Sequence, residues 1–108
     1  MEEDPVTWNL YLDDLREPSP MYVKPWWTIA RSTEAAKALV TERGMPALMS
    51  LDHDLGGEDR AIDFLKWLTN EYWDGVQPIP MFLVHSANPV GAKNLASFMD
   101  SWRRSVSL

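Results

Sequence analysis

Two groups of aspartates have the residue types and the spacing expected of a metal site. Asp13 and Asp14 directly follow one short apolar run, and Asp52-His53-Asp54 directly follows another. Carboxylates brought close together repel one another, and a hard divalent cation such as Mg²⁺ or Mn²⁺ neutralises them directly. We therefore predict that Asp13, Asp14, Asp52 and Asp54 bind a divalent metal ion. The alternative is that each aspartate only caps a turn or a helix, because aspartate is common where strands end.

The two histidines of the chain, His53 and His85, both lie in motifs of this kind. An imidazole can act as a general acid or base near neutral pH, and it can also bind a metal. Asp52, His53, His85 and the neighbouring Ser86 are therefore the candidate catalytic residues. Ser86 could orient or attack a phosphoryl group, although a serine that simply enters a helix explains the same position equally well.

Arg16, Asn88 and Lys93 are the candidate substrate-binding residues, because all three lie close in sequence to these motifs. A cation there would counter the charge of a phosphate. The helix that begins near Pro89 should also direct free N–H groups toward the ligand, and Gly91 would allow the ligand to approach the backbone closely. The simpler explanation for Arg16 and Lys93 is solvent-exposed surface charge.

The elements that must position these residues follow from the apolar pattern. Four apolar runs have the length of strands: Trp8 to Leu12, Trp27 to Arg31, Ala47 to Leu51 and Met81 to Val84. Runs without alternating polar residues are typical of parallel strands that are covered on both faces. Segments with helical spacing lie between and after them, around Ala36 to Arg43, Ile62 to Tyr72 and Ala92 to Trp102. The alternation predicts a three-layer αβα domain with a four-stranded, mainly parallel sheet, in which the motifs above meet at one edge.

Capping residues predict where the helices begin and end. Ser32 can begin the first helix and Gly44 can end it, Asp59 can begin the second and Gly75 can end it, and Asn88-Pro89 can begin the third. The segment Leu15 to Trp26 is rich in proline and long for a plain connection. We therefore predict a lid or substrate loop there.

Composition limits the kind of protein. A chain of 108 residues, 45% of them apolar, fits one domain over residues 1–108. The formal charge of −6 argues against duplex DNA as a ligand, since affinity for duplexes comes mainly from Lys and Arg. No apolar run approaches the roughly 20 residues of a membrane span, and with no cysteine we expect a cytoplasmic location without membrane contact. The six tryptophans favour core packing, with a Trp-rich surface for a protein partner as the alternative.

The motifs resemble those of the response-regulator receiver domain. The matching residues are Leu12-Asp13-Asp14 at the end of one strand, Leu51-Asp52 at the end of the central strand and Val84-His85-Ser86 at the end of a later strand. The resemblance implies a flavodoxin-like fold in which Asp13 and Asp14 bind Mg²⁺. It also implies that Asp52 binds the metal or accepts a phosphoryl group and that Ser86 contacts the phosphate. The last strand of a receiver, which carries a lysine, and its last helix have no counterpart in this chain, so the resemblance does not extend to ordinary phosphorelay signalling.

A second resemblance covers nearly the whole chain. Leu10 to Arg16, Ser50 to Gly56 and Val84 to Gly91 are similar, in this order, to motifs of the cyclic-phosphate-processing receiver-like family of bacteria and phages. The resemblance implies metal-dependent hydrolysis of a phosphoester, such as a cyclic phosphate on a nucleotide or an RNA end. In such a reaction the metal would polarise a phosphoryl oxygen, Asp52 or a water held by the metal would attack, and one histidine would protonate the leaving oxygen.

Two other functions stay open on the sequence alone. The chain could be a non-enzymatic phage or bacterial module that binds a protein partner in the bacterial or host cytoplasm and keeps the receiver-like edge for structure. It could also be a phospho-accepting switch, which the missing last strand and helix disfavour. Turnover of a cyclic phosphate would separate hydrolysis from both, and a stoichiometric protein partner would favour the binding module.

Overall fold

The predicted strands and helices form within residues 8–16, 18 and 27–106, the part of the chain that this computed structural model describes. The strands are β1 (Asn9–Leu12), β2 (Thr28–Ala30), β3 (Leu48–Leu51) and β4 (Met81–Val84), and the helices are α1 (Thr33–Arg43), α2 (Ala61–Trp67) and α3 (Pro89–Val106). A π-helical segment, Leu68–Tyr72, continues α2. Within these ranges no helix has both the length and the apolar character needed to cross a membrane.

The strands form one parallel sheet in the order β2-β1-β3-β4. The register aligns the strand ends: Leu12 lies opposite Ala30 on one side and Leu51 on the other, and Leu51 lies opposite Val84. The predicted four-stranded parallel sheet is therefore confirmed. The residues that follow the strands emerge at one edge, where ligands bind in open α/β folds.

The three helices form one layer on a single face of the sheet. α2 contacts both α1 and α3. The connections from β2 to β3 and from β3 to β4 run in the same direction across the sheet, so right-handed crossovers put α1 and α2 on the same side. The connection from β1 to β2 runs the other way across the sheet. Most of that connection, including most of the lid or substrate loop predicted for Leu15 to Trp26, lies outside the described residues.

The hydrophobic core lies between the sheet and this helix layer. Its fully buried members include Leu10, Leu12, Met49 and Leu51 from the strands and Phe64, Leu65, Leu95 and Met99 from the helices. Because side chains alternate along a strand, Tyr11 and Ser50 lie on the opposite face. The same alternation, continued past the strand ends, places Asp13, Asp52 and His85 on that opposite face, away from the helices.

The boundaries of α1 are as predicted. The Ser32 hydroxyl accepts a 3.1 Å hydrogen bond from the N–H of Ala35 and caps the helix. Gly44 ends it with a φ of 91°, a conformation that favours glycine, and its N–H donates to the carbonyl of Val40. Local capping preferences are therefore enough to define this crossover helix.

The predicted boundaries of the second helix are wrong. Asp59 does not cap α2, because its Oδ2 accepts a 3.0 Å hydrogen bond from the N–H of Thr33, the first residue of α1. Asp59 therefore joins the loop after β3 to a different helix. At the other end, helical backbone stops at Tyr72 and does not reach Gly75. The reason is a separate turn, in which Oδ1 of Asp74 accepts the N–H groups of the two residues after Gly75.

The described tryptophans serve packing. Trp8 and Trp102 are buried, and Trp27, Trp67 and Trp73 are partly buried. The indole N–H of Trp8 donates to the carbonyl of Gly44 at 3.0 Å, and Trp73 meets Trp102 edge-on with 5.3 Å between ring centroids. Trp26 lies outside the described residues. None of the five described tryptophans is fully exposed, and a Trp-rich surface for a protein partner stays a prediction.

Candidate metal centre

Asp13, Asp52 and His85 stand side by side at the carboxyl ends of three neighbouring strands. Each directly follows its strand, and its N–H donates to the carbonyl of the last residue of the adjacent strand, at 3.1, 2.9 and 3.0 Å respectively. These bonds continue the parallel ladder by one residue and fix the three backbones relative to one another. The sheet itself therefore positions these side chains.

Asp13, Asp14 and Asp52 form a compact group in which one carboxylate oxygen from each lies within 4.8 Å of the others. Asp13 and Asp52 are buried and Asp14 is partly buried. Asp54, the fourth predicted ligand, lies outside this group: its side chain is 67% exposed, and its Oδ1 is 3.7 Å from Nε2 of His53. The chain turns back after Asp54, which forms an isolated antiparallel bridge with Arg60. Three oxygen donors at this spacing suit Mg²⁺ or Mn²⁺.

The loop after β3 brings Gly56 against Asp14. Gly56 has a φ of 94°, and a Cβ at this position would lie 3.3 Å from Oδ2 of Asp14. A 3.0 Å hydrogen bond from the N–H of Leu55 to the carbonyl of Asp59 closes the loop. Both the backbone conformation and the nearby carboxylate therefore favour glycine at this position.

Asp13 is held in its charged form by hydrogen bonds. Burial alone would raise the pKa of Asp13, but its Oδ1 accepts the N–H groups of Arg16 and Leu15 at 2.8 and 2.9 Å. Its Oδ2 lies 2.9 Å from Nε2 of His85. These bonds stabilise the carboxylate, so the pKa of Asp13 is lowered from its ordinary value.

Asp52 is the carboxylate whose charge is not balanced. Burial and, after it, the negative charge of Asp13 raise the pKa of Asp52, and the opposing effects of Arg16 and His85 do not cancel this. The Arg16 guanidinium is nearby, with Nε 3.6 Å from Oδ2 of Asp13 and Nη2 4.0 Å from Oδ1 of Asp52. A divalent cation would supply the missing positive charge. Both the donor atoms and the electrostatics of the group therefore fit a metal ion.

His85 is held on both sides of its ring and on one face. Its Nε2 lies 2.9 Å from Oδ2 of Asp13, its Nδ1 lies 2.7 Å from the hydroxyl of Ser50, and the ring stacks on Tyr11 with 4.6 Å between centroids. An ionised carboxylate can only accept a hydrogen bond, which assigns a proton to Nε2. In the neutral ring, Nδ1 then accepts the proton of the Ser50 hydroxyl. The ring of His85 is therefore held in place beside Asp13.

Three residues of the site, Tyr11, Ser50 and Arg31, are absent from the site residues predicted from the sequence. A signal exists for the first two: they precede the buried aspartates by two residues, so strand alternation puts them on the same face. Arg31 follows β2, and its Nη1 donates to the carbonyls of Asp13 and Arg16 at 3.2 and 2.7 Å. Only the strand order, which puts β2 next to β1, reveals this contact.

The prediction that the start of α3 offers free N–H groups is wrong. Oδ1 of Asn88 accepts the N–H groups of Val90 and Gly91, each at 3.0 Å, and the N–H of Ala92 donates to the carbonyl of Asn88. Pro89 has no N–H to offer. The first turn of the helix is thus satisfied by the chain itself, which leaves the side-chain NH₂ of Asn88 as the group that could contact a ligand.

Gly91 does not present an open backbone to a ligand, because the ring of His53 fills the space beside it. A Cβ at Gly91 would overlap this ring. The His53 side chain is 13% exposed, and its Nδ1 is buried without a hydrogen-bond partner among the described residues. His53 therefore packs between the loop after β3 and α3, whereas His85 is the histidine that contacts Asp13.

Ser86 and Lys93 are not members of the group of carboxylates. The register places His85 rather than Ser86 beside Asp52, and the Ser86 hydroxyl oxygen accepts the N–H of Asn88 at 3.1 Å. Ser86 thus shapes the turn before α3. Lys93 is exposed near the start of this helix. Contacts of these residues with a substrate stay predictions.

The chain was compared with family models, curated proteins and solved structures. The model of the family described as cyclic-phosphate processing receiver domain matches residues 8–101. One solved structure, a fusion that contains residues 181–211 of the yeast Spc42 trimeric coiled coil, is similar with a TM-score of 0.52 and 18% identity over 86% of this chain. The chain spans 63% of the length of that structure, and the likeness concerns the fold alone. None of the curated proteins matches the chain.

Proposed function

The chain belongs to the cyclic-phosphate processing receiver family, and from that premise we propose that it hydrolyses a cyclic phosphate ester with the help of a divalent cation. The observation that carries the proposal is the group of Asp13, Asp14 and Asp52, whose oxygens lie within 4.8 Å of one another beside the ring of His85. Carboxylates this close, next to an imidazole, suit the binding of a cation and the transfer of a proton. Metal-assisted phosphoester hydrolysis needs both.

In this proposal Asp13, Asp14 and Asp52 hold Mg²⁺ or Mn²⁺. When bound, such an ion polarises a phosphoryl oxygen and neutralises the charge that develops on it. The charge of Asp13 is already secured by the N–H groups of Arg16 and Leu15, so this ligand is preorganised. Asp52 gains most from the cation, because burial and the charge of Asp13 act against its ionised form.

Hydrolysis joins the oxygen of a water to phosphorus and breaks one of the two ester bonds of the cyclic phosphate. The products are a phosphomonoester and a free hydroxyl, so one proton leaves the water and one reaches the leaving oxygen. We assign proton delivery to Nε2 of His85 in its doubly protonated form, which becomes neutral when the leaving oxygen takes this proton, while the proton of the attacking water passes to solvent. The attacking group is either water or Asp52, which would carry the phosphoryl group until water releases it.

The substrate we propose is a cyclic nucleotide or the cyclic-phosphate end of an RNA. The formal charge of −6 disfavours a long polyanion, whereas a single phosphate can be met locally by the cation and by Arg16. The NH₂ group of Asn88 and the ammonium of Lys93 are further proposed contacts. We place the reaction in the cytoplasm of a bacterium, or of the host if a phage encodes the chain.

The test is incubation of the purified protein with 2′,3′-cyclic nucleotides and with RNA that ends in a cyclic phosphate, in Mg²⁺, in Mn²⁺ and in a chelator. We expect a linear phosphomonoester, detected by chromatography, only when the cation is present. Asp14→Asn should remove most of the turnover, because it deletes a proposed ligand that is not part of the core. Asp100→Asn changes an exposed aspartate of α3 and is the matched control.

Failure to cleave any of these compounds, in protein that is folded and binds metal, would contradict the proposed hydrolysis. Turnover that continues unchanged in the chelator would contradict the metal dependence instead. The comparison of nucleotides with RNA ends decides which of the two substrates the site prefers.

A further inference from the structure

Arg16 places a positive charge where the metal ion is proposed to bind. Its Nε lies 3.6 Å from Oδ2 of Asp13, and its Nη2 lies 4.0 Å from Oδ1 of Asp52. Its Nη1 donates a 3.0 Å hydrogen bond to the backbone carbonyl of His85. The guanidinium therefore faces two of the three carboxylates of the group and offsets part of their charge.

These contacts with the carboxylates are loose. A charge-assisted hydrogen bond between a guanidinium and a carboxylate is about 2.7–2.9 Å long, well below the 3.6 and 4.0 Å that separate these atoms. The side chain of Arg16 is 49% exposed, whereas those of Asp13 and Asp52 are 1% and 9% exposed. A cation that binds the carboxylate oxygens directly can therefore replace the guanidinium without opening the core.

The backbone of Arg16 is fixed although its side chain is exposed. The N–H of Arg16 donates to Oδ1 of Asp13 at 2.8 Å, and its carbonyl accepts a 2.7 Å hydrogen bond from Nη1 of Arg31. Arg31 also donates to the carbonyl of Asp13 at 3.2 Å. Movement of the guanidinium thus needs a change of side-chain rotamer about a fixed Cα and the loss of its hydrogen bond to the carbonyl of His85.

We propose that Arg16 occupies the cation position of the metal-free protein and competes with the divalent ion for Asp13 and Asp52. The ion displaces the guanidinium because like charges repel at this distance and because a small divalent cation binds carboxylate oxygens more closely. The released side chain, anchored at the rim of the site, then forms the paired hydrogen bonds that a guanidinium makes with phosphate. This inference rests on the proposed function, since it assigns Arg16 first to the carboxylates of the metal site and then to the phosphate of the substrate.

The competition predicts opposite effects on two ligands when the charge of Arg16 is removed. Arg16→Gln should bind Mn²⁺ more tightly, by several-fold up to about tenfold, because the ion no longer displaces a cation from the same carboxylates. The same variant, loaded with Mn²⁺, should bind inorganic phosphate about tenfold more weakly, because a charge-assisted pair is lost. A residue that binds phosphate away from these carboxylates would change the second affinity and leave the first unchanged.

Calorimetric titration with Mn²⁺, and then with inorganic phosphate, measures both affinities without any turnover. Arg104→Gln removes an arginine from the last turn of α3 and should leave both unchanged. If the unmodified protein binds Mn²⁺ and Arg16→Gln binds it equally well or more weakly, this inference is overturned and the proposed function is not affected. If neither protein binds metal, both the inference and the proposed function fail.

A measurement on the unmodified protein covers the case in which Arg16→Gln does not fold. On addition of Mg²⁺, the Nε–H signal of Arg16 in the nitrogen NMR spectrum should move, because the contacts with Asp13 and Asp52 are lost. The signal of Arg104 is the internal reference and should stay in place. An Arg16 signal that does not respond, while the carboxylate signal of Asp52 does, overturns the competition.

Discussion

Asp13 and Asp52 are neighbouring buried carboxylates with opposite pKa shifts. Burial acts against the charged form of both, but the N–H groups of Arg16 and Leu15 outweigh it at Asp13 and lower that pKa. No comparable set of donors acts on Asp52, and the charge of Asp13 adds to the effect of burial, so the pKa of Asp52 is raised. Pairs of titratable groups pushed apart in this way are typical of functional sites. The charge of Asp52 therefore costs the metal-free fold stability, a cost that a bound cation would relieve.

Asp52→Asn should therefore stabilise the metal-free protein at neutral pH. A carboxyl group with a higher pKa in the folded state costs nothing below its unfolded pKa, where both states are protonated. It destabilises the fold increasingly as the pH rises from there through the folded pKa. Asparagine has a similar shape and does not ionise, so in a chelator the Tm should rise by a few degrees, the shift that about 1 kcal/mol produces in a domain of this length.

Thermal unfolding followed by circular dichroism, at neutral and at acidic pH, measures this difference. The advantage of Asp52→Asn should vanish at a pH below the ordinary range of an aspartate, and Asp100→Asn should show no advantage at either pH. A lower Tm for Asp52→Asn than for the unmodified protein at neutral pH would mean that the neighbours of Asp52 stabilise its charge, which contradicts a raised pKa.

At the scale of elements, the first turn of α3 sets how this helix leaves the rim of the site. Asn88 accepts two backbone N–H groups there, and Gly91 leaves room for the ring of His53. Both residues therefore have a structural task at the start of α3. For substitutions at these positions, the stability of the protein and its affinity for ligands must therefore be measured separately.

Asn88→Ala should lower the free energy of unfolding by about 1 kcal/mol, the usual cost of losing a helix N-cap. Asn88→Asp keeps the accepting oxygen and should retain most of this stability. Urea denaturation measures both. If the NH₂ group of Asn88 also contacts phosphate, Asn88→Asp should bind phosphate more weakly while it stays stable. An Asn88→Ala protein as stable as the unmodified one would rule out the cap.

Gly91→Ala should have opposite effects on stability with and without the ring of His53. In the unmodified chain the added methyl overlaps the ring, and overpacking of this kind costs about 1–3 kcal/mol. In a His53→Ala background the space is free, and alanine should then stabilise the helix by about 0.5–1 kcal/mol relative to glycine. Urea denaturation of the four proteins gives the coupling between the two positions. The same cost in both backgrounds would refute the packing of His53 on Gly91.

At the scale of the molecule, the three carboxylates of the proposed metal site come together only in the folded chain. Asp13 follows β1 and Asp52 follows β3, and pairing of these strands, with α1 as part of the crossover, brings the two together. The unfolded chain has no reason to keep them near each other. A metal ion that binds the group should therefore bind the folded state and stabilise the whole domain.

Mg²⁺ at about 100 times its Kd should stabilise the protein by about 2.7 kcal/mol, which raises the Tm by roughly 10 °C in a domain of this length. Asp14→Asn should lose most of this increase and keep nearly the same Tm in a chelator, because Asp14 is only partly buried. NaCl at equal ionic strength is the control for charge screening. An equal rise in NaCl would show that screening, and not a bound ion, accounts for the effect.

The sequence by itself determined the features that depend on a few neighbouring residues. Apolar runs of strand length predicted the four strands, and the capping chemistry of Ser32, Gly44 and Asn88 predicted helix ends, because these preferences act over one turn of backbone. Asp13 and Asp52 could be placed at one edge because parallel strands end on the same side. That much of the site follows from local pattern and strand direction.

Only the tertiary structure decided which side chains meet at that edge. Because of the register and the packing of distant segments, Ser50 and Tyr11 contact His85. Asp54 is exposed outside the group of carboxylates, and Asp59 accepts a hydrogen bond from the first residue of α1. The same packing also filled the space beside Gly91 with His53. A side chain that is free to satisfy its own turn can instead bond to a residue tens of positions away, and the choice depends on distances that exist only once the sheet and helices have packed.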